Sequence, residues 1–229
     1  MRYDQKYLLL ALALISILAV GSYIHMKDAG TKKEPRGQQE TEPADSGAGD
    51  IGEKEEGETV PDESAAEEEP AAEEPLPESK IIEGVPFTSQ SPFGDWADPR
   101  QQHGCEEASL LMAHCFLSGE GLSKEKALTE IFAMSAYEEE NYGGFHDLSL
   151  EDTLKFYRAY YGYERSFVKF DIDADDIKRE IAKGSPVIVP MDGTKLGNPY
   201  YTAPGPERHE LIVKGYDDRA GEFVTNDPC

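Results

Sequence analysis

The chain has 229 residues, room for one or two domains, and carries 22 Lys and Arg against 46 Asp and Glu, a net charge of −24 at pH 7. No basic stripe interrupts that balance, which excludes a nucleic-acid partner, because phosphate binding needs clustered Lys and Arg. The three cysteines, Cys105, Cys115 and Cys229, form no C-x-x-C pair, so a structural zinc site is not expected, and nothing calls for a metal or a cofactor.

Arg2 and Lys6 precede an uncharged run from Tyr7 to Ile24, 18 residues long. That length lies between a signal-peptide core and a full membrane span. Ala19-Val20-Gly21 offers a cleavage site, yet Tyr23 and Ile24 carry the apolar run past it. Residues 1–25 therefore read as an uncleaved membrane anchor in preference to a signal peptide. Either reading exports the chain and puts its folded part outside the cytoplasm, held at the cell membrane by a single pass if the run is not cleaved. Residues 26–80 are a different material. Between Lys27 and Lys80 there are 18 acidic and 6 basic residues, a net of −12, and no aromatic side chain. Such a segment buries too little apolar surface to offset its ordering entropy and reads as a disordered acidic spacer.

Aromatic residues return in 81–229, where 27 acidic and 14 basic residues leave −13. Ile81–Phe87 reads as an entering strand broken by Pro86. A Pro- and Gly-bearing loop with Trp96 leads into a helix that starts near Cys105, with Leu110, Leu111, Cys115 and Phe116 at helical spacing, stopped by Gly119 and Gly121. A second helix opens at Ser123. A third follows Ser149, where Ser149–Asp152 resembles a capping box and Leu150, Leu154, Tyr157 and Tyr161 form the stripe. The acids of Asp171–Asp176 suggest a calcium loop, but the sixth and twelfth positions, Asp176 and Ala182, are wrong for one, so they read as the N-terminus of a fourth helix ending at Gly184. The period then changes. Pro186–Pro190, Glu210–Tyr216 and Glu222–Thr225 are strand-like, the last two joined as a hairpin. Helices followed by antiparallel strands predict an α+β domain.

Cys105 stands on the first turn of an apolar helix, where the helix dipole and unpaired backbone N–H groups favour a thiolate. Against this, the following Glu106 and Glu107 raise a thiol pKa by their charge. A cysteine nucleophile needs a base and an orienting group. His25 borders the apolar run, His103 is only two residues from Cys105, and His114 and His146 read as ordinary polar residues. His209 begins a strand directly after the loop Ala203–Arg208 and is the best-placed base, and Asp227 closes the neighbouring strand. The plain alternatives are a buried structural cysteine and a turn acid before Pro228.

Val85-Pro86-Phe87-Thr88-Ser89-Gln90, Gly104-Cys105-Glu106-Glu107-Ala108-Ser109, His209–Asp218 and Asn226-Asp227-Pro228, in that order, resemble the signature blocks of the bacteriocin-processing-peptidase-like cysteine peptidases, which have a papain-like fold; Asn198–Pro206 resembles the loop before their histidine. The resemblance implies Cys105 as nucleophile, His209 as base and then acid, and Asp227, with Asn226 as close rival, orienting the imidazole. It also implies a glutamine in the oxyanion hole, Gln90 or alternatively Gln102, and a helical half packed on a small antiparallel sheet. The expected activity is hydrolysis of a peptide or protein substrate through a thioester. The alternatives are acyl transfer, or a surface module that keeps the fold for binding a peptide or wall component. The chain stops two residues after Asp227, where the family's sheet continues, so a truncated reading frame missing a strand is expected.

Overall fold

The computed structural model describes residues 1–6, the backbone of 17–20, 75–146 and 148–229. The described residues belong to one compact unit, drawn from Met1–Tyr23 and Pro75–Cys229; residues 24–74, with nearly all of the expected acidic spacer, lie outside the described residues. The elements are β1 (Arg2–Asp4), β2 (Ile17–Val20), β3 (Ser79–Ile81), α1 (Pro99–Gln102), α2 (Cys105–Ser118), α3 (Lys124–Tyr142), α4 (Leu150–Tyr161), β4 (Ser166–Lys169), α5 (Ala174–Ala182), β5 (Val187–Met191), β6 (His209–Asp217) and β7 (Glu222–Asn226). The strands form one antiparallel sheet in the order β1-β7-β6-β5-β2-β4, with β3 also on β6. The class is α+β, the papain-like arrangement that the residues imply.

Helix α2 is the pillar. Glu106 to Ala113 and Cys115 are all buried, so the helix runs through the core instead of along its surface, packed on α3 and β6. Its neighbours are tied by their caps. Ser123 accepts from Lys126 N–H and Ser149 from Asp152 N–H, and Asp173 and Asp176 form a full capping box on α5. The acids of 171–176 are thus a helix start. On α4 the buried face is Thr153, Phe156 and Tyr157, while Leu154 and Tyr161 are only partly buried; the expected stripe ran along one edge of that face.

Strand β6 is the sheet's axis, pairing with β5 through His209–Val213, with β3 through Gly215–Asp217 and with β7 on its other side. The β6–β7 register slips between Val213 and Gly215. A Cβ at Gly215 would lie 2.7 Å from the Lys80 carbonyl oxygen, so only glycine lets β3 approach there.

Three features differ from the sequence reading. The entering strand is Ser79–Ile81, because the turn at Glu83-Gly84 ends it before Val85. Ser166–Lys169, between two helices, is a strand. Most notably, the sheet takes β1 and β2 from the first twenty residues, outside the expected 81–229 domain. Residues 7–16 and 21–24, the bulk of the expected membrane span, lie outside the described residues, but Ile17–Val20 pairs with both β5 and β4. A short apolar run carries no period that separates a strand from a helix. Among the described residues no helix is long and apolar enough to cross a membrane.

Candidate active site

Gly104 delivers the cysteine. Helix α1 is capped by Asp98 and begins with Pro99, and one turn later the chain must pass so near it that a Cβ at Gly104 would lie 2.7 Å from the Arg100 carbonyl oxygen. Gly104 then caps α2, its carbonyl accepting from Ala108 N–H at 3.0 Å, and Cys105 is the first helical residue. A backbone N–H at that position has no acceptor within its own helix.

His209 opens β6 opposite Met191 of β5, and Asp227 follows the last residue of β7. His209 Nε2 and Asp227 Oδ1 are 2.8 Å apart, with each side chain 1% exposed. Burial pushes the Asp227 carboxyl up, but the hydrogen bond and charge of His209 and the hydroxyls of Tyr3 and Tyr201 outweigh it and hold the pKa at about 2. An ionised carboxylate only accepts, so Nε2 carries the proton of the pair and Nδ1 is left for other work. The rival Asn226 turns away, donating through Nδ2 to the carbonyls of Pro86 at 2.9 Å and Val85 at 3.3 Å.

Cys105 and His209 line the same two stretches of cleft, one of about 400 Å³ and one of about 750 Å³. The smaller is walled by Glu106, Glu107, Asp192, Phe145 and Phe170, the larger by Trp96, Tyr200, Gln90 and Cys229. The Cys105 thiol is pushed well above its ordinary value by burial and then by the charge of Glu210, while a hydrogen bond with the Glu210 backbone works the other way and Glu107 and Glu106 add to the rise. The two glutamates have buried partners: Thr153 Oγ1 donates to Glu106 Oε1 at 2.8 Å and Ser135 Oγ to Glu107 Oε1 at 2.9 Å. Nearby Glu138 is pushed up to about 10 by burial and by the charges of Glu107, Glu106 and Glu210.

Gln90 is buried at the cleft. Its Nε2 donates to the carbonyls of Gln101 at 3.0 Å and Gln102 at 2.9 Å, so the two oxyanion candidates are joined through side chain and backbone. The Gln102 side chain is exposed on the cleft wall. His103 also lines the cleft and meets the His146 ring at a tilt, 4.6 Å between centroids; His114 instead stacks on Tyr161 at 3.8 Å. Among the described residues no group of three or more His, Cys, Asp and Glu is arranged to hold a metal ion.

Sequence reasoning missed the shell around Asp227. Oδ2 accepts from Tyr3 at 2.5 Å, Tyr201 at 2.7 Å and Asn198 Nδ2 at 2.9 Å, and Oδ1 also accepts from Cys229 N–H at 3.1 Å. Asn198 and Tyr201 fall in the loop resembling the family's pre-histidine segment, which was a signal. Tyr3 had none, standing just ahead of an apolar run that reads as membrane.

Comparison with curated proteins and with solved structures returns no match. One family model does match, the Peptidase_C39 like family, over residues 82–229, which is more than half of the chain and contains Cys105, His209 and Asp227. The chain therefore belongs to the Peptidase_C39 like family, whose kinship is with bacteriocin-processing cysteine peptidases.

Proposed function

We propose that this chain is a cysteine peptidase with Cys105 as nucleophile, His209 as general base and acid, and Asp227 as the group that orients the imidazole. The observation that carries the reading is the buried 2.8 Å contact between His209 Nε2 and Asp227 Oδ1 beside a cleft that both His209 and Cys105 line. In this mechanism His209 Nδ1 takes the thiol proton as Sγ attacks the scissile carbonyl carbon. The oxyanion is met by the Cys105 backbone N–H and by the Gln90 amide, which must turn one N–H from the carbonyl of Gln101 or Gln102. His209 gives its proton to the leaving amine, and a thioester remains. Water, deprotonated in turn by His209, attacks the thioester, and the thiol is released.

A panel of electrophilic peptide probes tests this, reporting nucleophile and substrate preference together. Capture at Cys105, absent in Cys105→Ala, is the expected result; peptide hydrolysis unchanged by Cys105→Ala, or labelling of buried Cys115 in preference to Cys105, sinks the reading. An amine in place of water would make the same thioester an acyl-transfer intermediate, which an added amine acceptor reveals as a new amide product. The elevated Cys105 thiol favours a second reading, a module that keeps the fold to bind a peptide without chemistry. That module would bind the panel's parent peptides and capture no probe.

The apolar run from Tyr7 to Ile24 supports a further proposal, export with tethering to the cell membrane. It requires Ile17–Val20 to leave the sheet, since a backbone paired with β4 and β5 cannot also cross a bilayer. Retention of the full chain in membranes after alkaline carbonate extraction is expected from the tether, and its release into the supernatant from the sheet arrangement.

A further inference from the structure

The shell around Asp227 reaches a part of the chain that the catalytic reading does not use. Tyr3 is 6% exposed, and its strand is fixed at three points: the β1–β7 register pairs Tyr3 with Phe223, Thr225 N–H donates to the Met1 carbonyl at 2.8 Å, and Gln5 N–H donates to the Gly221 carbonyl at 2.7 Å. The register holds the phenol hydroxyl 2.5 Å from Asp227 Oδ2, across 224 positions of sequence. The other donors on that oxygen, Tyr201 and Asn198, come from the loop that leads into His209. A carboxylate has about four lone-pair positions, two on each oxygen; Tyr3 is the third donor on Oδ2, beside Tyr201 and Asn198, while Oδ1 takes His209 and Cys229 N–H. We propose that Tyr3 is a positioning residue of the active site, supplied by the N-terminal strand, which locks the rotation of Asp227 and disperses the charge on Oδ2 so that Oδ1 holds His209 at a set strength.

The inference rests on the catalytic assignment of Cys105, His209 and Asp227. Burial, followed by the charge of Asp227, pushes the Tyr3 phenol far above its ordinary value, so it stays a donor throughout the working pH range. Other titratable or charged groups around the pair are the Met1 amino group, Tyr201 and Cys229 on the Asp227 side, and Cys105, His103, Glu207, Arg208 and Glu210 along the cleft beside His209. Tyr3→Phe leaves all of them in place and removes one hydroxyl. With less of its charge drawn off, Asp227 Oδ1 holds the Nε2–H of His209 more strongly, which favours an imidazolium beside a Cys105 thiolate.

The test is the rate of iodoacetamide alkylation at Cys105 against pH in the full chain, read by mass spectrometry at the Cys105 peptide. A thiolate–imidazolium pair gives a second step at high pH, where the imidazolium loses its proton. In Tyr3→Phe that step is expected to move up by about half a pH unit, roughly a threefold change in the proton-binding constant. In a chain carrying 3-fluorotyrosine at position 3, a stronger donor of nearly the same shape, it moves down, which keeps the test open if Tyr3→Phe folds poorly. Arg2→Ala, which disturbs only the exposed ion pairs of Arg2 with Glu222 and Asp217, leaves the step in place. A step unmoved by both changes at position 3, even with a lowered Tm, makes Tyr3 a structural anchor only and overturns the inference. A wild-type profile with a single thiol-like step that His209→Ala leaves unmoved means that His209 does not act on Cys105. The catalytic reading itself then fails, and that outcome is distinct from the first.

Discussion

Thr153 on α4 donates its hydroxyl to Glu106 Oε1 at 2.8 Å, tying a helix 47 positions away to the residue beside the candidate nucleophile. Ser135 on α3 does the same for Glu107. The glutamates that raise the thiol pKa are therefore also the clamps that fix α3 and α4 to the pillar helix. Thr153→Val removes one clamp from a buried carboxylate, at a cost of about 1–3 kcal/mol. The Tm should fall by several degrees in a thermal melt, with the Cys105 alkylation profile less affected than the melting curve.

Glu138 gives the chain a pH dependence of unusual sign. Its folded pKa, about 10, lies above the 4.5 of an ordinary glutamate, so between those values the folded state keeps a proton that the unfolded state has lost. Stability from this group is complete below about pH 4.5 and declines as pH rises toward 10. Its Oε1 is also buried with no hydrogen-bond partner among the described residues. Glu138→Gln should raise the Tm at pH 7 to 8 by several degrees, with the gap from the wild type closing toward pH 4.5. Melts at a series of pH values check the sign.

Asp227 behaves the opposite way. Its folded pKa of about 2 lies below the ordinary 3.8, so its contribution is present above about pH 4 and is lost as pH falls toward 2. Asp227→Asn should flatten the acid limb of stability. It should also lower hydrolysis, because an amide carries no charge to stabilise the imidazolium and can turn its Nδ2 instead of its Oδ1 toward His209. Turnover of the best peptide from the probe panel, beside an acid titration of the fold, reads both effects.

How far these features were legible depends on what carried the signal. Helices α2, α4 and α5 and the β6–β7 hairpin announce themselves by period, caps and a turn, and the acids of 171–176 read as a helix start because Asp176 and Ala182 do not suit a calcium loop; the capping box of Asp173 and Asp176 appears only in the structure. Cys105, His209 and Asp227 stood at the ends of such elements and could be named in order. Strands β1, β2 and β4 are three or four residues long, too short for an alternation to show, and they are specified by strand edges that need partners and not by their own pattern. Tyr3 was invisible for that reason. Strand β3, as short as β1, was hidden differently, because Gly84 ends it in a turn while Ile82 and Val85 stay buried beyond it.

Gly104→Ala is the smallest change that reaches the candidate nucleophile. Its φ of −76° suits alanine, so the penalty is one of space alone, a methyl group 2.7 Å from a backbone oxygen and 3.3 Å from Ile131 Cγ2. The helix start must shift to accommodate it. Loss of Cys105 capture by the electrophilic probes, with the rest of the fold retained by circular dichroism, is the expected result.

Strand β1 also closes the outer edge of β7. An edge strand left open offers unpaired N–H and C=O groups to any neighbouring chain. Stripped of its first six residues, the protein would therefore present a template two residues from Asp227, and copies would add to one another there through new strand pairing. Self-association of a trimmed chain would thus silence the cleft by occlusion, a fate visible as a mass shift in light scattering long before any assay of chemistry.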